Sequence, residues 1–320
     1  RSGFRSVMPE NIRLISGPGC PVCVTANKDI DEMIALTRHP EIMVATFGDM
    51  MRVPGSSTSM LARKAEGADV QVVYSPLDAI NLAKANPERQ IVFVGVGFET
   101  TTPLIAATLE RAAALNLGNF SVIGAHKRVP PALDVLVNDS QVTLDALILP
   151  GHVSTILGVE PYEFLSSRYN IPGVITGFEP VDVLQGIAML LEQLHRREAE
   201  IQIAYMRGVR KEGNPTARAA IDKIFAISDA TWRGLGLIPD SGYRIRNEYA
   251  LYDATKRFEL EVEMTVEPKG CLCGDVLRGV ISPNGCPLFG RACVPENPIG
   301  PCMVSSEGSC AAYYRYQVQD

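Results

Sequence analysis

Short apolar runs recur along the chain, each ending in a turn rich in Gly, Pro or Ser, most of them followed by a helical pattern. Residues 42–47 end at Gly48-Asp49, and 70–74 end at Ser75-Pro76 before a helix over 77–85. Residues 91–94 end at Gly95-Val96-Gly97-Phe98-Glu99 before a helix over 103–115. Residues 120–124 lead to His126, and 146–149 lead to Pro150-Gly151-His152. Residues 173–176 end at Gly177-Phe178-Glu179 before a helix over 181–194. Short apolar strands alternating with amphipathic helices predict an α/β protein with parallel sheets built from βαβ units. The two Gly-Phe-Glu tripeptides, each closing a strand and opening a helix, hint at two similar halves.

The most informative stretch precedes these units. An apolar run over 12–15 reads as a strand, and residues 29–36 read as a helix with Asp29 as N-cap. Between them lies Gly17-Pro18-Gly19-Cys20-Pro21-Val22-Cys23. Two thiols three residues apart on a Gly/Pro turn at a helix start are rigidly presented. The helix N-terminus stabilises thiolates there. Such a pair forms a disulfide, binds a soft metal or attacks an electrophile. The plainer alternative is two buried small hydrophobes or half of a zinc site.

In open parallel sheets, ligands bind at the carboxyl ends of the strands. Cys20, Cys23, Asp49, Glu99, His126, His152 and Glu179 all fall at such positions. The segment Gly95-Val96-Gly97 lacks the third glycine of a dinucleotide fingerprint and the Gly-Lys of a P-loop, so a tight turn is favoured over a phosphate site. From 201 to 267 the pattern loosens. A helix fits 217–227, a turn fits Trp232-Arg233-Gly234-Leu235-Gly236, and a half-exposed strand fits 258–266.

A chain of 320 residues, 46% hydrophobic, is long and apolar enough for two or three domains. A net charge of −6 argues against general nucleic-acid binding and against an anionic membrane surface. No apolar run reaches the roughly 20 residues that span a bilayer. Cysteine placement changes the picture most. Of eight, six crowd the C-terminal region: Cys271, Cys273, Cys286, Cys293, Cys302 and Cys310. No cysteine lies between Cys23 and Cys271. That distribution fits a reducing cytoplasm with metal or redox roles better than a secreted disulfide framework. Four thiolates converging on one cage would hold an iron–sulfur cluster. Zinc favours two short Cys pairs, which this irregular spacing lacks, and disulfides are the third option. Spacing alone does not choose four of the six. His152 and Glu307 are candidate proton carriers, with structural roles as their alternatives.

The motifs Gly-Pro-Gly-Cys-Pro-Val-Cys-Val (17–24), Thr-Phe-Gly-Asp (46–49), Arg-Val-Pro-Gly (52–55), Gly-Phe-Glu-Thr-Thr (97–101), Pro-Gly-His-Val-Ser (150–154), Cys-Pro-Leu-Phe-Gly (286–290) and Ser-Ser-Glu-Gly-Ser-Cys-Ala-Ala (305–312) together resemble the HypD family of hydrogenase maturation factors. The likeness covers essentially the whole chain, in the family's order. It implies two similar Rossmann-like α/β domains plus a small cysteine-rich iron–sulfur domain. On this sequence those are an α/β domain over 1–90, a second over 91–200, a connecting region over 201–264 and the cluster domain over 265–320. It implies a [4Fe–4S] cluster on Cys273, Cys286, Cys293 and Cys310, with Cys271 and Cys302 as free thiols. It implies Cys20 and Cys23 as the redox-active pair that transiently holds iron. The implied function is a scaffold for the Fe(CN)₂CO unit of [NiFe]-hydrogenase. HypC would share the iron and HypE would donate cyanide. Soft thiolates suit low-valent iron. The family also carries a Cys-Gly-(Gly/Thr)-His motif upstream of the thiol pair, which this sequence lacks. That predicts a preceding segment, and a chain that folds but does not complete assembly. The rival expectation is an iron–sulfur-dependent protein disulfide reductase, which needs the same pair and cluster.

Overall fold

The computed structural model describes residues 8–262 and 264–316. Its first sheet has four parallel strands in the order β2-β1-β3-β4. These are β1 (Ile42–Thr46), β2 (Val70–Val72), β3 (Gln90–Gly97) and β4 (Phe120–His126). β1 is buried throughout and β3 from Ile91 onward, as expected of central strands covered on both faces. The connecting helices include α1 (Pro21–Val24), α2 (Asn27–Ala35), α3 (Met60–Ala65), α4 (Pro76–Ala85) and α5 (Thr102–Ala114). The order reverses between β1 and β3, which makes the carboxyl ends of these strands the topological switch point. α1, with the thiol pair, packs against β3.

A second parallel sheet has the order β5-β6-β7, with β5 (Leu147–Pro150), β6 (Gly173–Thr176) and β7 (Ile201–Ile203). α6 (Val129–Val137) precedes it; α7 (Gly151–Leu157), α8 (Glu163–Tyr169) and α9 (Pro180–Arg196) connect its strands. Then follow α10 (Pro215–Ile224) and an antiparallel hairpin of β8 (Phe225–Trp232) and β9 (Gly236–Ile245). The remaining chain is short helices and turns: α11 (Ala254–Arg257), α12 (Cys273–Arg278), α13 (Pro301–Val304) and α14 (Ser309–Tyr316). No described helix is long and apolar enough to cross a membrane.

Several expectations change. Residues 12–15 form no strand; Ile15 instead meets Gly279 at the end of α12 and so docks on the cysteine-rich tail. α2 starts at Asn27 after Ala26, with Asp29 in its first turn rather than at the cap. Residues 258–262 and 264–266 form no strand. They run beside α2 as a strap held by side chains, Asn27 Nδ2 donating to Val266 O (2.7 Å) and Arg38 to Glu261 O (3.2 Å). The first sheet runs across residue 90, since β3 pairs with β1. β7, placed in the connecting region, joins the second sheet. The Gly-Phe-Glu echo keeps its place after a strand, but Glu99 is fully buried whereas Glu179 is exposed.

Candidate functional site

Cys20 caps α1, and its Sγ accepts from the Cys23 N–H (3.2 Å). Pro21 starts the helix, where its fixed φ is favourable and its missing N–H costs nothing. One helical turn brings the two Cα atoms to 5.2 Å, and the sulfurs form a disulfide. The sequence predicted a presented pair. Instead Cys20 is 3% and Cys23 0% exposed. They share an apolar cluster with Phe98, Trp232, Val276 and Met303. Phe98, just past the end of β3, stacks on Trp232 at 5.9 Å between ring centroids. Trp232 Nε1 donates to Ser241 Oγ (2.9 Å), which fixes the indole. The cover on the far side is the tail itself, with Cys23 Sγ 4.0 Å from Pro301 O at the start of α13. A disulfide sulfur carries no proton, so in the oxidised pair this is a packing contact.

All six tail thiols line one apolar cavity with room for about one water molecule. Cys273 sits at the start of α12, Cys302 on α13 and Cys310 on α14; Cys286 and Cys293 lie in turns. Cys293 Sγ accepts from Ile299 N–H (3.4 Å), and Cys286 Sγ faces Gly270 O (3.9 Å). Cys273 and Cys302 Sγ are only 2.6 Å apart. Cys302, a free thiol in the set the family resemblance implies, lines the cavity with the others. Hydrogen bonds from Cys271 and then Cys302, and the charge of Arg233, hold the Cys273 thiol well below its usual range. The hydrogen bond with Cys273 pushes both Cys271 and Cys302 up, Cys302 also through its bond with Cys310, and burial raises both further.

Among the described residues, no three His, Cys, Asp or Glu side chains are placed to hold a single metal ion. A tetrahedral zinc would bring thiolate sulfurs to about 3.8 Å of one another, from Zn–S bonds near 2.3 Å. A four-iron cage holds its thiolates farther apart, and an apolar pocket walled by thiols on turns and short helices is the donor set it needs. Six thiols around one apolar cavity are the donor type that a cluster takes.

The other candidates divide. His152 opens α7 and is exposed, its ring on Phe178 (4.4 Å) and near Tyr205 (6.5 Å) rather than in the apolar cluster around the pair. Glu307 is exposed in the turn between Cys302 and Cys310, its N–H donating to Ser305 Oγ (3.2 Å). Asp49 and Glu179 are exposed. Glu99 is wholly buried; Oε1 accepts from Val129 N–H (2.9 Å) and Oε2 has no partner. Burial lifts its carboxyl to about 7. His126 is buried with neither ring nitrogen paired, and burial lowers it to about 4. The glycines of Gly95-Val96-Gly97 make room for side chains: a Cβ on Gly95 would lie 2.8 Å from His126 Cε1, and one on Gly97 would meet the Thr101 hydroxyl.

Two buried cations escaped the sequence reading. Lys127 is 3% exposed and pairs with Asp29 of α2 (2.9 Å), tying the end of β4 to the helix that follows the thiol pair. Arg233, at the tip of the β8–β9 hairpin, is 6% exposed. Its only sequence signal is a charge set between Trp232 and Gly234.

A profile of the Hydrogenase formation hypA family, HypD, matches residues 1–317. The chain belongs to the HypD family of hydrogenase maturation factors. It is 45% identical over 324 residues to the HypD of Rhizobium leguminosarum bv. viciae, covering 99% of this chain and 84% of that protein. It is 46% identical over 323 residues to the Azotobacter vinelandii HypD, with 99% and 85% covered. Against the HypD of Escherichia coli K12 it is 43% identical over 319 residues, with 99% and 86% covered. Within this HypD-family chain, three of the motifs that carry the resemblance, at 17–24, 286–290 and 305–312, map onto the thiol-pair turn and the cysteine-rich tail, which pack against each other.

Proposed function

We propose that this chain is a cytoplasmic scaffold on which the Fe(CN)₂CO unit of [NiFe]-hydrogenase is assembled, with HypC sharing the iron and HypE donating cyanide. The observation that carries this reading is the direct packing of the Cys20–Cys23 turn on the tail that holds the other six thiols. The iron unit is the cargo, gripped by Cys20 and Cys23 once their disulfide is reduced. A [4Fe–4S] cluster in the tail supplies single electrons when bound.

The chain's own residues do the rest. α1 sets the two thiolates one turn apart and its N-terminus favours their negative charge. Phe98, Trp232 and Met303 exclude water from the pair. His152 and Glu307, on the surface, exchange protons with solvent. Cys286, Cys293 and Cys310 are three cluster ligands. Cys271 is the fourth, in place of Cys273, because Cys273 is drawn against Cys302. The Cys273–Cys302 pair is then a second dithiol between cluster and Cys20–Cys23.

Burial of Cys20 and Cys23 constrains both readings alike, since iron sharing and disulfide exchange each need the pair to open to a partner. The deciding experiment is maturation of [NiFe]-hydrogenase in a strain lacking its own factor, with the substitutions made in a family protein that carries the upstream Cys motif as well as the thiol pair. Cys20→Ser and Cys23→Ser are expected to abolish it. Full maturation by either variant would overturn the reading.

A further inference from the structure

Arg233 reaches both thiol-bearing segments from a third element. Its backbone N–H donates to Val24 O (2.8 Å), the residue after Cys23. Its Nε donates to Thr25 O (3.2 Å) and Nη2 to Asn27 Oδ1 (2.7 Å). Its Nη1 pairs with Glu267 Oε2 (2.7 Å), four residues before Cys271. The next residue, Gly234, lies against Gly274, the neighbour of Cys273: a Cβ on Gly234 would stand 2.4 Å from Gly274 Cα. A guanidinium donates along three directions in one plane. Here those directions end on the turn carrying the thiol pair and on the entry to the tail.

We infer that Arg233 is a positioning residue that clasps the Cys20–Cys23 turn onto the cysteine-rich tail, so that the buried pair stays registered against it. This rests on the scaffold reading for its purpose but not for its test. Glu267 is 62% exposed, so its ion pair alone contributes little. The bonds to Thr25 O and Asn27 are buried, and removing the guanidinium leaves those acceptors unpaired. Lysine, with one ammonium, cannot serve all three directions.

The test needs neither iron nor hydrogenase. The full chain is reduced anaerobically without metal, and iodoacetamide labelling of Cys23 is timed by mass spectrometry. In the parent chain Cys23 labels slowly. Arg233→Met and Arg233→Lys each accelerate it by about tenfold or more, the local opening that loss of the clasp allows. Leu109→Ala, in the core around β3 and α5, is the control for global destabilisation and leaves Cys23 protected. If Arg233→Met does not fold, Asn27→Ala removes one arm and gives the same direction of change. Unchanged labelling in the Arg233 variants or in Asn27→Ala, full protection restored by lysine, or equal acceleration in Leu109→Ala overturns the inference. Full maturation by a Cys20→Ser or Cys23→Ser variant with the clasp intact would count against the scaffold reading alone.

Discussion

Cys23 Sγ lies 4.0 Å from Pro301 O, across 278 residues of sequence. That contact closes the thiol pair from solvent and places it one residue from Cys302, whose sulfur touches Cys273. The two thiol groups that the sequence keeps at opposite ends of the chain fall in one apolar cluster.

The proposed ligand set rests on the Cys273–Cys302 contact. Cys286→Ser, Cys293→Ser and Cys310→Ser are each expected to remove the cluster's visible absorption. Cys271→Ser should do the same, while Cys273→Ser and Cys302→Ser keep most of it. Anaerobic reconstitution followed by absorption spectroscopy reads this directly. Loss of the cluster in Cys273→Ser with retention in Cys271→Ser would restore the set drawn from the family resemblance.

Glu99 gives a pH prediction. Its carboxyl rises from 4.5 to about 7 on folding through burial, so the native state holds that proton more tightly than the unfolded chain. Its contribution to stability is complete below about pH 4.5 and is lost as the pH rises toward 7. His126 acts oppositely in nearly the same window, since burial lowers it to about 4: its contribution is present above about pH 6.5 and is lost as the pH falls toward 4. The two slopes oppose each other in the parent protein. Glu99→Gln, which keeps the Val129 bond without the charge, should gain on the parent by up to about 3 kcal/mol between pH 4.5 and 7. Thermal melts across that range measure the difference. A gain that does not grow with pH would contradict it.

The strand–turn–helix rhythm was legible because β1, β3, β4 and β6 are continuous apolar runs ended by turn residues. The thiol pair was legible from Gly-Pro-Gly-Cys-Pro-Val-Cys. Its burial was not, because the cover comes from Trp232 and Pro301, hundreds of residues away. The same distance hid the Cys273–Cys302 contact and the Arg233 bonds. Residues 12–15 and 258–266 carry strand-like patterns, yet they pack on α12 and α2. Alternation records which side is wet, not what lies on the dry side.

Gly234→Ala should be far more disruptive than a surface glycine change. Gly234 has φ +79°, and its added Cβ would press on Gly274 backbone, which cannot swing aside. The hairpin tip would leave the tail, and limited proteolysis should cut within residues 265–316 much faster than in the parent. Gly236→Ala, with φ +78° but open space, carries the backbone strain without the clash and should leave the tail protected. Equal cleavage of the two variants would show that the close approach does not matter.

Ser241 is fully buried and receives the Trp232 indole N–H. Ser241→Ala leaves that donor unpaired and should cost about 1–3 kcal/mol. Trp232→Phe combined with Ser241→Ala removes both partners and should recover part of the loss in a thermal melt. A double variant no more stable than Ser241→Ala would contradict this.

The central claim is that the tail is a cluster site beside a thiol pair that grips iron. It is tested most directly by metal analysis and Mössbauer spectroscopy of the chain purified anaerobically with its small partner. The account predicts a brown protein with about four irons in a [4Fe–4S] signal. It also predicts a further low-spin iron that disappears in Cys20→Ser or Cys23→Ser. A colourless protein with stoichiometric zinc, or a further iron signal indifferent to both substitutions, would contradict it.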